Sequence, residues 1–97
     1  MTPTLDSLTR LRPKIDGLAR VYGMSNVRVF GSVARGTAVE DSDVDLLVKV
    51  EPGRSLLDLI GFERAVSDLL GHSVDVLTER GIHPLLKSTI LNEARSL

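Results

Sequence analysis

The sequence predicts a small mixed α/β fold, a three- to four-stranded sheet covered by helices in the order α-β-α-β-α-β-α. Three observations carry this expectation. Apolar residues recur at three- and four-residue intervals in segments 4–22, 56–70 and 84–94, the spacing of amphipathic helices. Between them lie short valine-rich runs at 26–31, 43–50 and 73–78 in which apolar and polar residues alternate. Glycine or proline stands at most of the changes from one pattern to the other. Strands that alternate with helices are expected to form one sheet with the helices packed upon it.

Each element has its own justification. Over 4–22, Leu8, Leu11, Ile15, Leu18, Ala19 and Tyr22 fall on one helical face, and Pro13 marks a kink or a restart. Gly23 is a natural stop, because glycine enters the left-handed conformation found just past helix ends without a steric penalty. In the first strand, Val27, Val29 and Gly31 alternate with Asn26, Arg28 and Phe30. Residues 32–42, SVARGTAVEDS, read as a short helical turn and then a loop. The second strand, 43–50, sets Val44, Leu46, Val48 and Val50 on one face and Asp43, Asp45, Leu47 and Lys49 on the other.

Pro52 and Gly53 turn the chain. Ser55, with Asp58 three positions on, forms a cap for LLDLIGFERAVSDLL. Leu59, Phe62, Val66, Leu69 and Leu70 make the buried stripe of that helix, leaving Glu63, Arg64, Ser67 and Asp68 for solvent. Gly71 ends it, and the third strand, 73–78, carries Asp75 on the face opposite Val74 and Val76. Pro84 suits the first turn of a last helix, in which Leu85, Leu86, Ile90, Leu91 and Ala94 repeat nearly to the end of the sequence.

A chain of 97 residues with 42% hydrophobic and 26% charged residues is expected to form one domain, 1–97, around one core. Its formal charge of −1 and 3% aromatic content offer neither the basic surface nor the stacking platform of a nucleic-acid binder, so no direct nucleic-acid contact is expected. With no cysteine and two isolated histidines, any metal must be held by oxygen. No segment approaches the ~18 apolar residues of a membrane span, and the amino terminus lacks a signal-peptide core, so the expected location is cytoplasmic, away from membranes. Domains this small bury a modest share of their surface, and a partner is expected to add stability, as a homo-oligomer or a hetero-oligomer.

The acids of the second strand interrupt this ordinary pattern. Asp43 and Asp45 share a strand face, where like charges repel and neither is easily left dry. If the third strand lies alongside, Asp75 joins them, and a divalent cation is the simplest compensation. Mg²⁺ takes a few carboxylates together with water and substrate phosphates, and two such ions can flank a displacement at phosphorus. Taken alone, D-x-D at a strand start is more often a solvent-edge feature. Its weight rises because Gly31-Ser32 stands at the exit of the first strand. Free N–H groups at a helix start, a glycine that admits phosphate closely and a serine hydroxyl make an anion site. The plain alternative is a strand-to-helix turn with a serine cap. GSVARG has neither the lysine of the common phosphate loop nor the three-glycine spacing of a dinucleotide fingerprint.

Gly31-Ser32, ten intervening residues and then Asp43-Val44-Asp45 resembles the G-S-x10-D-x-D signature of the nucleotidyltransferase superfamily that includes DNA polymerase beta. Asp75 in SVDVLT fits the third acid of that family. The stretches VRVFGSVARGTAVEDSDVDLLV and SLLDLIGFERAVSDLLGHSVDVLT are similar to the minimal nucleotidyltransferase, or MNT-domain, proteins, typically the antitoxin halves of HEPN/MNT toxin–antitoxin pairs. The resemblance implies the minimal nucleotidyltransferase fold, with Gly31 and Ser32 holding the triphosphate of ATP. It implies that Asp43 and Asp45 bind Mg²⁺, two ions in all, and that Asp75 completes the cluster as a third metal ligand and as base for the acceptor hydroxyl. It implies transfer of AMP from ATP to a hydroxyl, a tyrosine of a HEPN ribonuclease toxin, which is thereby neutralised.

Arg35, one helical turn after Ser32, is a further candidate phosphate contact by its fixed charge, with a surface arginine as the plain alternative. Ser42 is read as a loop cap, and His72 and His83 as turn residues. Leu85 or Leu97 of the last helix are candidates for partner contact. Two rival functions remain in view: a binding module that masks the toxin without catalysis, and a small-molecule nucleotidyltransferase of the aminoglycoside-modifying sort. No segment is left over to build an aminoglycoside pocket unless a dimer supplies it.

Overall fold

Proline lacks an N–H and is suited only to the first turn of a helix. Pro13 accordingly divides the amino-terminal pattern into α1 (Leu5–Arg10) and α2 (Arg12–Tyr22) in the computed structural model, which describes residues 2–97. Thr4 caps α1 by accepting the Ser7 N–H at 3.0 Å, and Gly23, at φ +73°, closes α2. The chain continues through β1 (Met24–Phe30), α3 (Gly31–Arg35), β2 (Val44–Val50), α4 (Leu56–Leu70), β3 (Val74–Thr78), a 3-10 turn at Glu79–Gly81, α5 (Pro84–Glu93) and β4 (Arg95–Ser96). The predicted cap of α4 is present, with the Ser55 N–H donating to Oδ2 of Asp58 at 3.0 Å.

The sheet is mixed, in the order β3-β2-β1-β4. β1 runs antiparallel to β2 and to β4, and β2 runs parallel to β3, with α4 as the crossover. Period-two alternation gives the sheet two unlike faces. Val29, Val44, Leu46, Val48, Val74 and Val76 join Leu8, Ile15, Phe62 and Val66 in the main core beneath the first, second and fourth helices. On the other face Phe30 and Leu47 pack with Ile82 and with Ile90 of α5. Asp45 and Asp75 lie on this second face by the same alternation, since each is two residues from an apolar neighbour there, Leu47 or Leu77.

Several details depart from the sequence reading. The last helix stops at Glu93, and Arg95–Ser96 pair with Arg28 and Val29 as a fourth strand. A two-residue strand carries no alternation for a sequence pattern to reveal. Leu97 is consequently buried in the main core, at 7% exposure, and is no candidate for partner contact, whereas Leu85 is 85% exposed. Glu63, expected to face solvent, is half-buried and accepts the Val76 N–H at 3.1 Å through Oε2. β3 is an edge strand, so this donor has no neighbouring strand to meet. Ser67, also assigned to solvent, donates through Oγ to the His72 carbonyl at 2.7 Å. β1 begins two residues earlier than expected because a bulge between Ser25 and Arg28, with Asn26 at φ +50°, carries the pairing past the irregularity.

Candidate functional site

At the exit of β1 the chain turns directly into α3, and Gly31 makes the turn with φ +71°. In the antiparallel register Phe30 stands opposite Asp45, which brings the Asp45 carboxylate over the backbone of residue 31. A Cβ at residue 31 would overlap Oδ2 of Asp45 and stand 3.2 Å from its Cγ. The left-handed backbone favours glycine, and any side chain there would also require the Asp45 carboxylate to shift. Ser32, half-buried, is the second residue of α3, whose first turn receives no side-chain cap from Phe30.

The topology brings two of the three acids into direct register and does not gather all three into one closed group. Asp45 and Asp75 are register partners on adjacent parallel strands, and Asp43 precedes β2 by one residue and is exposed. Burial pushes the Asp45 carboxyl above the usual carboxylate value of 3.8, and the charges of Asp75 and then Asp43 push it the same way. Arg35 opposes that rise, and Glu93 adds slightly to it. Arg35 is itself engaged, its Nη1 donating to Oε1 of Glu93 at 2.9 Å and so tying α3 to the last residue of α5. Nothing in the sequence singles out Glu93. It stands in the polar tail NEARSL with no motif around it, and only the return of α5 across the sheet delivers it to this end.

The donor set consists of carboxylate oxygens alone, which suits a hard divalent cation of the Mg²⁺ type. The mutual repulsion felt at Asp45 is what such a cation would offset. Among the described residues, however, no group of three acidic or histidine side chains closes into a ready-made cage.

The remaining candidates fall as the sequence suggested. Ser42 closes its own loop, its Oγ accepting the Val39 N–H at 2.8 Å. His83 caps α5, with Nδ1 accepting the Leu85 N–H at 3.2 Å. A hollow of about 320 Å³ lies between residues 3–6 and α3 and shares Arg35 with the acid end. A broader one of about 800 Å³, lined by residues 49–54 and 78–80, sits at the opposite ends of β2 and β3. Neither is lined by any of the three acids. Among the described residues no helix is long and apolar enough to cross a membrane.

Comparison with known proteins matches residues 14–97 to the nucleotidyltransferase domain family. A Methanocaldococcus jannaschii protein named as a candidate protein adenylyltransferase, MJ0435, is 43% identical over 88 residues, which cover 91% of this chain and 95% of that one. A solved structure described as a candidate minimal nucleotidyltransferase is 48% identical and superposes with a TM-score of 0.85 over 97% of this chain and 96% of its own. At 17% identity the same fold recurs, with a TM-score of 0.67 over 91% of this chain and 69% of the matched chain, in a complex of a tri-AMPylated Shewanella oneidensis HEPN toxin with an MNT antitoxin.

Proposed function

Because the chain belongs to the nucleotidyltransferase domain family, we propose that it acts as one catalytic domain over residues 1–97 that transfers AMP from ATP to a hydroxyl of a partner protein. The observation that carries this reading is the juxtaposition of Asp45 with Asp75 on neighbouring strands and with the bare backbone of Gly31 beneath. It sets carboxylates beside a helix start where phosphate can approach. In this reading Gly31 and Ser32 cradle the triphosphate, Arg35 adds a charged contact, and Asp43, Asp45 and Asp75 hold Mg²⁺. When bound, the cation would neutralise the triphosphate and favour displacement at the α-phosphorus.

The chain's own residues then have distinct tasks. The acceptor oxygen attacks the α-phosphorus, the bond to the bridging oxygen of pyrophosphate breaks, and Asp75 takes the proton of the hydroxyl. Asp75 is the more exposed of the two paired strand acids, the side from which a macromolecular acceptor can arrive. The rigid sheet beneath contributes positioning, the main term in transfers of this kind.

The acceptor we favour is a tyrosine of a HEPN-type toxin, whose modification would neutralise it in the cytoplasm. The relative named for protein adenylylation and the shared fold of the AMPylated toxin complex support a HEPN-type protein as acceptor, and the tyrosine follows from the family resemblance alone. The test is intact-mass analysis of a HEPN-type protein encoded beside this one after incubation with the chain, ATP and Mg²⁺. The expected result is a gain of whole AMP units that disappears with Asp43→Ala or Asp45→Ala. An unmodified partner would overturn the reading.

One observation favours a second reading, antitoxin action by masking: Leu85, Leu86 and Leu91 of α5 are exposed. If Asp45→Ala neutralises the toxin as fully as the wild type, masking is the function.

A further inference from the structure

Glu93 carries a carboxylate to which the proposed reaction gives no task. It occupies the last turn of α5, at the negative end of the helix dipole, where a carboxylate is disfavoured unless a cation compensates. Arg35 is that cation, at 2.9 Å, with the Glu93 side chain 25% exposed and the arginine 50%. The two partners are not equally fixed. Around Glu93, Ile90 is buried with Phe30 and Leu47, the Ala94 N–H donates to the Ile90 carbonyl at 2.9 Å, and Arg95–Ser96 pair with β1. Arg35 ends a helix of five residues and is followed at once by Gly36. Its contact with Glu93 uses one guanidinium nitrogen and leaves other N–H donors available.

We infer that Glu93 is a positioning residue, which holds the Arg35 guanidinium beside the acid end of the sheet before nucleotide arrives, so that the free donors meet the triphosphate already oriented. The inference rests on the reading above that Arg35 contacts the triphosphate. Fixing a long side chain in advance removes part of the entropy lost on binding.

The experiment is calorimetric titration of the full chain with ATP in Mg²⁺ buffer, paired with measurement of KM and kcat. Glu93→Ala is expected to weaken ATP binding about three- to tenfold, the cost of ordering one freed arginine on binding. KM should rise more than kcat falls. Glu93→Gln keeps an acceptor oxygen in place and should restore most of the affinity. In an Arg35→Ala background, Glu93→Ala should weaken binding no further, whereas a purely structural role for Glu93 would still weaken it. Should Glu93→Ala fail to fold, Glu93→Asp, which keeps the charge but shortens the reach, takes its place with the same expected weakening. Unchanged or tighter binding by the position-93 variant, beside a weakened Arg35→Ala, overturns the positioning role alone. Wild-type affinity in Arg35→Ala overturns the phosphate reading of Arg35 and this inference with it.

Discussion

The Asp45 carboxylate fills the space that a side chain on Gly31 would need. A Cβ at residue 31 would overlap Oδ2 and lie 3.2 Å from Cγ, and Gly31 already stands at φ +71°. One close approach thus joins the two halves of the site, the turn into α3 and the acid strand β2, through the Phe30 to Asp45 pairing.

Gly31→Ala should therefore abolish nucleotidyl transfer and lower stability by more than the ~1–2 kcal/mol of a left-handed alanine alone, because the carboxylate must also move. Gly36→Ala is the matched control. Gly36 has φ +76° but nothing within 4 Å of the added Cβ, so it bears only the backbone penalty. Chemical denaturation of both variants, with activity measured where each is folded, separates backbone strain from displacement of Asp45. Equal losses in the two would refute the close-approach account.

Asp58 gives a pH signature remote from the site. The Ser55 N–H, donating to its carboxylate, holds Asp58 below the usual value of 3.8 against desolvation, with Arg54 acting in the same direction. A depressed carboxyl contributes stability above the unfolded value that is lost as pH falls through the folded one. The wild type should thus lose stability on acidification below about pH 3.8 more steeply than Asp58→Asn. Melting curves between neutral pH and pH 3 check this, and parallel curves for the two proteins would count against the cap.

The sequence carried most of this fold and left particular gaps. The bounds of α4 were legible because Ser55, Asp58 and Gly71 mark both ends and an apolar stripe lies between them. The acid pairing was legible as a condition, since Asp45 and Asp75 meet only if the second and third strands adjoin, and they do. β4 was not legible, because a strand of two residues owes its existence to β1 beside it. Glu63 and Glu93 were missed for a related reason. Each lies on a polar helix face that looks solvated in sequence, and each meets a partner brought in by tertiary packing, Val76 or Arg35.

Glu63 supports an edge. Glu63→Ala should destabilise the fold by roughly 1–3 kcal/mol, the cost of leaving a partly buried N–H without its acceptor. Glu63→Gln keeps an oxygen in reach and should recover much of that loss. Hydrogen exchange at the Val76 amide is the specific readout. It should accelerate in the alanine variant more than at amides of β2, and protection equal to wild type would show that the contact carries no stability.

Asp45 should reveal a conflict between stability and function. Its carboxyl lies above the ordinary 3.8, chiefly through burial and then through the charges of Asp75 and Asp43. A raised pKa means that the folded chain binds this proton more tightly than the unfolded one. The associated stability is complete below the unfolded value and is lost as pH rises through the folded one. Asn mimics the protonated form at any pH. In metal-free buffer at pH 7, Asp45→Asn should accordingly be the more stable protein, by about 0.2–1 kcal/mol on the scale of like charges facing across strands. Below pH 3.8 the two should converge. Added Mg²⁺ should raise the Tm of the wild type by ligand linkage and leave Asp45→Asn nearly unmoved. A variant less stable than wild type without metal would mean that Asp45 is held by favourable contacts, and the repulsion ascribed to the acid end would be wrong.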